Sequence, residues 1–304
     1  MSPESRLQAF TNSRYGVNFA LYLGRSTPPA LGYRIANLLG SLFALQRNSR
    51  LAQAVRRNQA MVSPDLHGKA LDARVRAVFV HAAECMYDLY RNLNDEVHLA
   101  ELFIANEARQ RLISGSRAQQ QGALVVAPHM SNFDGLLLAL SIQGMRGQVL
   151  SYAAPTSGYD IQNRLRARFG LKITPVNPQN IRQAIENMRQ GGYVYTAVDR
   201  PDPRYLDRPL PFFGQPAALP AGYITLALEA GVPILPVCAH GLGGGKYEIW
   251  MDEPVFMETR ATRQETLRHN AMRVLQHFEA FIRRAPEQWM MYYPVWPETS
   301  ANAR

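Results

Sequence analysis

From Gly122 onward the chain alternates short apolar, β-branched runs with helical stretches of about ten residues, and this alternation constrains the fold more than any other feature. Residues 123–127 (ALVVA), 148–153, 171–176, 193–198, 233–239 and 247–251 read as strands. Residues 134–142, 160–169, 179–190, 221–230 and a long 262–284 read as helices. Strands separated by helices cannot pair as hairpins; they form βαβ units, in which a mainly parallel sheet is covered by helices on both faces. The expected class is therefore α/β.

The N-terminal part has a different pattern. Residues 17–23 and 30–45 are apolar and are separated by Thr27, Pro28 and Pro29. Neither stretch reaches the roughly 20 apolar residues a spanning helix needs, and the second carries Arg34 and Asn37. Arg47, Arg50, Arg56 and Arg57 follow at once. An apolar face leading into a cationic one fits a helix lying in the membrane interface, and equally a helical hairpin packed on the core with its arginines in water. We expect residues 1–70 to be a helical membrane-interface segment and residues 71–304 an α/β domain. Leu71, Val75, Val78, Phe79, Ala82, Met86, Leu89 and Leu93 recur at helical spacing and predict one core-facing stripe.

With Lys and Arg at 33 against 24 Asp and Glu, the chain carries a formal charge of +9, which attracts polyanions. The basic residues are dispersed, and there is no helix-turn-helix, RNA-binding sheet motif or zinc finger, so nucleic acid is not the expected partner. Cys85 and Cys238 stand far apart with no CxxC pairing, which predicts two buried free thiols. The opening residues lack an apolar run with a small-residue cleavage site, so a cytoplasmic location is expected. His67, His81, His98, His269 and His277 fall in helices or connections with no HExxH pattern, and we expect no metal.

The sharpest local signal is Ala127-Pro128-His129-Met130-Ser131-Asn132-Phe133-Asp134. It puts His129 where a strand ends and a helix is about to begin, the place where open α/β sheets bind ligands. A carboxylate five residues on, across a turn, can sit against one imidazole nitrogen and leave the other for substrate; a structural histidine near a helix start has the same spacing. No G-x-S-x-G nucleophile elbow exists in the chain, so a base at His129 would deprotonate a hydroxyl of the substrate.

Residues 199–220 are too rich in proline for regular helix or central strand, which marks a lid or binding loop. Phe212 and Phe213 within it would either wall a cavity or anchor the loop on the core. His240-Gly241-Leu242-Gly243-Gly244-Gly245-Lys246 lacks the spacing of a phosphate loop and reads as a flexible hairpin. Met290, Tyr292, Tyr293 and Trp296 either form an interfacial aromatic belt or close the core.

Taken together, the His129/Asp134 box, Asp199-Arg200-Pro201, Pro211-Phe212-Phe213-Gly214-Gln215-Pro216 and residues 232–237 resemble the lipid A biosynthesis acyltransferases and the related phosphatidylinositol mannoside acyltransferases. These lie within the wider glycerolipid acyltransferase group. The resemblance runs from about Tyr15, through Arg56-Arg57-Asn58, to Pro286-Glu287-Gln288-Trp289 and Trp296. It implies an O-acyltransferase on the cytoplasmic face of the inner membrane, taking its acyl group from an acyl carrier protein or coenzyme A thioester, with no other cofactor. The implied acceptor is a hydroxyl of a lipid A-like glycolipid or a phospholipid. His129 then matches the general base and Asp134 its charged partner. Arg166, or its neighbours Arg164 and Arg168, matches a head-group contact, and Asp199 an acid that organises the site. Arg200 stands where relatives carry Gln or His. The alternative is a peripheral lipid-binding protein that keeps this fold without turnover.

Overall fold

The computed structural model describes residues 14–151, 167 and 170–296. The N-terminal layer is helical: α1 (Arg14–Ser26), α2 (Pro29–Leu45), α3 (Arg50–Val62) and the long α4 (Gly68–Asn92). Pro28 precedes the first turn of α2, and the Ser49 side chain accepts from Ala52 N to start α3. Helix α2 lies close on α4, because Gly40 has no Cβ: one added there would come within 2.6 Å of the Val80 backbone. The predicted stripe of α4 is buried at Leu71, Val75, Val78, Phe79, Ala82 and Leu89. Met86 departs from it and is exposed.

Two helices absent from the sequence reading, α5 (Glu96–Glu101) and α6 (Glu107–Ala118), lead into the sheet. Its elements are β1 (Ala123–Ala127), α7 (Phe133–Ile142), β2 (Gln148–Ser151), β3 (Lys172–Pro175), α8 (Pro178–Arg189), β4 (Tyr193–Ala197), α9 (Gly222–Ala230), β7 (Ile234–Gly243), β8 (Lys246–Met251) and α10 (Arg263–Arg284). The strand order is β3-β2-β4-β1-β7-β8, parallel throughout except for the antiparallel β7–β8 pair. The expected helix at 160–169 falls outside the described residues apart from 167.

Both faces of the sheet are covered. Along β1, Leu124 and Val126 pack into one apolar cluster with α8, α9 and α10, while Ala123 and Val125 pack into another with α4, α6 and α7. This alternation explains why β1 reads as an uninterrupted apolar run: neither side meets water. Capping sets the helix starts, from Asn177 ahead of Pro178 in α8 to the reciprocal Thr262/Glu265 box of α10.

The proline-rich segment is not all loop. It forms a separate two-stranded hairpin, β5 (Leu210–Phe212) and β6 (Gln215–Ala217). Phe213 and Gly214 turn it with φ of 51° and 73°, the left-handed pair that a two-residue hairpin requires. The glycine run after His240 is likewise a hairpin: β7 and β8 pair as far as Gly243 and Lys246, leaving only a tight turn. Among the described residues no helix is long and apolar enough to cross a membrane.

Candidate active site

Strand β1 ends at Ala127 and α7 starts at Phe133, so five residues must reverse the chain between them. Ser131 makes the turn at a φ of 50°, a conformation costly for a residue with a Cβ. Asn132 then caps α7, its side chain accepting from Gly135 N at 2.9 Å. The C-terminal segment clamps this loop from outside. Ser131 N donates to Gln288 O at 2.8 Å and Met290 N to His129 O at 2.9 Å.

The carboxylate on the His129 ring belongs to Asp199, two residues past the end of β4 and 70 away in sequence. Nδ1 of His129 lies 2.6 Å from Asp199 Oδ1, and the His129 backbone N–H donates to Oδ2 at 2.8 Å. The register explains the meeting: β1 and β4 are parallel neighbours paired Ala127↔Ala197, so the residues two beyond each strand end arrive at the same level. Asp134, expected against the ring, does not make that bond. Placed on the first turn of α7, it lines the same cleft, and its charge acts on His129 from there.

Asp199 is 0% exposed, whereas the His129 side chain keeps 27% of its surface open. Burial pushes the Asp199 carboxyl up, but the His129 charge and hydrogen bond, the Trp289 indole and the His129 backbone N–H outweigh it, leaving the acid below its ordinary range. For His129 burial pulls downward, and Asp199 followed by Asp134 overcomes it, with Arg200 opposing; the net direction is up from 6.5. No hydrogen-bond partner for Nε2 is found among the described residues.

His129, Phe133 and Asp134 stand at one end of a cleft that runs between the sheet and α7. It encloses about 770 Å³ including its open mouth, and Leu112, Leu136, Leu140, Val149 and Tyr195 make its inner wall apolar. The Phe133 ring meets His129 edge-on at 5.2 Å. A cleft with greasy walls and one polar end suits a chain molecule with a reactive head.

The other expected site residues sort differently. Arg200 lies over the Tyr293 ring at 4.1 Å, and its charge reaches His129. Phe212 is fully buried and stacks on Trp296 at 5.7 Å, so it anchors the hairpin and takes no part in the cleft wall. Phe213 is also off the cleft, with the Arg283 guanidinium 4.6 Å above its ring. Arg164, Arg166 and Arg168 lie outside the described residues. Trp296 and Tyr292 close the core, the latter stacked on Phe79 at 5.9 Å, while Tyr293 is exposed.

Sequence reasoning missed a second histidine behind the same loop. His81 Nε2 lies 2.9 Å from Ser131 Oγ and 3.4 Å from Cys85 Sγ. Burial, aided by nearby His240, pulls its pKa down to about 4, and burial pushes the Cys85 thiol far up. The helical spacing of His81 and Cys85 on α4 was visible, but nothing marked their meeting with Ser131. Both cysteines are buried and unpaired. Among the described residues no group of three or more His, Cys, Asp or Glu side chains could hold a metal ion.

A sequence profile of the bacterial lipid A biosynthesis acyltransferases matches residues 5–298, nearly the whole chain. No curated protein matches the chain in a sequence comparison.

Proposed function

The chain belongs to the bacterial lipid A biosynthesis acyltransferase family, and on that premise we propose that His129, braced by Asp199, catalyses direct transfer of a fatty acyl group from a thioester to a lipid hydroxyl. The observation that carries this reading is the 2.6 Å contact between His129 Nδ1 and the fully buried Asp199, at the polar end of an apolar cleft.

The acceptor hydroxyl approaches Nε2, which takes its proton as the oxygen bonds to the thioester carbonyl carbon. Asp199 keeps the proton on Nδ1 and stabilises the imidazolium that forms. The carbon–sulfur bond then breaks, and the departing thiolate recovers a proton from Nε2, leaving an ester and a thiol. Negative charge on the carbonyl oxygen in between is favoured by the positive end of α7, which begins beside the cleft. The one hydroxyl on the turn, Ser131, is fully buried and engaged by His81, so an acyl-enzyme is not part of the scheme.

The donor is an acyl carrier protein or coenzyme A thioester, and the acceptor a lipid A-like glycolipid or a phospholipid. Arg200, with Arg164 and Arg166, is assigned to anionic groups of that acceptor, since a guanidinium fork binds phosphate oxygens in pairs. Contact with the inner membrane's cytoplasmic leaflet is supported by the exposed Leu31, Leu38, Leu42 and Leu45 of α2 and by Tyr15, Phe19 and Tyr22 of α1. The groove beside that apolar face is lined by Arg47, Arg56 and Arg76 against the single carboxylate of Asp72.

Incubating the protein with a radiolabelled acyl thioester and lipid A precursor or phospholipid in vesicles tests the proposal. Label should pass to lipid, and His129→Ala should abolish the transfer. Vesicle binding with no transfer from either donor would point instead to the lipid-binding reading.

A further inference from the structure

We infer that Trp289 is a positioning residue, fixing the Asp199 carboxylate so that its one free-standing oxygen is presented to His129; this rests on the reading of His129 as the base. The indole Nε1 donates to Asp199 Oδ2 at 2.9 Å. That oxygen already accepts from the His129 backbone N–H, while Oδ1 meets Nδ1 of the ring. Three donors from two chain segments therefore hold a carboxylate to which water has no access. An indole N–H can only donate, so it favours the ionised acid over the neutral one.

Trp289 is itself fixed with unusual care. The Gln288 side chain bonds Gly241 both ways, accepting from its N–H at 2.8 Å and donating to its C=O at 2.9 Å. Gln59 Nε2 donates to Pro286 O at 2.8 Å, and Asn58 Nδ2 to Met291 O at 3.0 Å. The Trp289 ring, 1% exposed, lies edge-on to Phe212 at 6.1 Å and Trp296 at 6.2 Å. The proline-rich hairpin, which does not reach the cleft, packs its Phe212 ring against Trp289. A purely structural tryptophan would share the packing but would have no effect on the titration of His129.

Trp296 supplies the comparison. Its Nε1 donates to Phe212 O at 3.1 Å within the same aromatic cluster, so its indole N–H is spent on that carbonyl and not on Asp199. Among the described residues the charged groups acting on His129 are Asp199, Asp134 and Arg200, and of these only Asp199 is bonded by Trp289.

The experiment compares Trp289→Phe with Trp296→Phe, reading the His129 ring titration by NMR together with kcat and KM. Losing the indole donor leaves more charge on Asp199 to hold the imidazolium, so Trp289→Phe should raise the His129 midpoint by about half a pH unit or more. It should also lower kcat about tenfold to a hundredfold, with KM within about twofold. Trp296→Phe should shift neither. Equal behaviour of the two variants overturns the inference. As a second measurement, 5-fluorotryptophan, a stronger N–H donor, replaces all three tryptophans of the intact fold and should move the midpoint down; an unmoved midpoint also overturns it. The titrations stand apart from turnover, so failure of His129→Ala to abolish transfer would remove the base assignment and not the Trp289–Asp199 coupling.

Discussion

Two mostly buried histidines meet at the turn between β1 and α7, His129 within it and His81 against its Ser131, and they have opposite electrostatics. His129 lies against a carboxylate at the end of an apolar cleft, and its pKa is raised. His81 lies against a hydroxyl and a thiol, and its pKa falls to about 4. Burial pulls both down; the charges around them differ, with Asp199 and Asp134 raising His129 and His240 lowering His81 further. A carboxylate converts a buried imidazole into a base that can carry charge, and a hydroxyl leaves it a neutral strut for a strained turn. The comparison also separates the proposed base, on the cleft side of the loop, from the histidine that supports the loop from behind.

The largest test of that division is kinetic. Replacing His129 by Ala should cut acyl transfer by about 10³-fold to 10⁴-fold, the upper range for losing a general base, whereas His81→Gln, which can still bond Ser131, should stay within about tenfold of the parent in kcat/KM. Comparable losses in the two variants would erase the distinction.

Stability against acid should distinguish them next. The unfolded chain protonates His81 near 6.5 and the folded chain near 4, so between these values the unfolded state binds the extra proton. The His81 contribution is therefore fully present above about pH 6.5 and is lost as the pH falls toward 4, a change of about 3 kcal/mol. Denaturant melts of wild type and His81→Gln across that window should show the steeper fall in the wild type; parallel curves would contradict a neutral His81.

A smaller effect sharpens the other half. Since the base must be neutral, kcat/KM should rise with pH through a midpoint above 6.5. Asp134→Asn removes one of the charges that raise His129, so its pH–rate profile should show that limb moved down by about one pH unit or less. An upward move would mean that Asp134 acts on something other than the ring.

Much of the frame was legible in the sequence because it is local. β1 is apolar on both faces, and the 3.6-residue periodicity of α8 and α10 shows in their burial. The hairpin at Leu210–Ala217 was not legible, since its turn uses Phe213 in a left-handed conformation that no rule assigns to phenylalanine. The partner of His129 was misjudged for a related reason. Asp134 is near in sequence and Asp199 is near in space, and only the parallel pairing of β1 with β4 brings the second one home. Trp289, 90 residues further on, was visible as part of a resemblance but not as a donor to Asp199.

The most direct measurement is the rate of acyl transfer by Asp199→Asn set beside that of Asp134→Asn under the same conditions. With Asp199 as the carboxylate that orients His129, its amide should lose about 10³-fold or more in kcat, and the Asp134 amide about tenfold or less. The reverse order, with Asp134 the costlier loss, would contradict the pairing on which the mechanism rests.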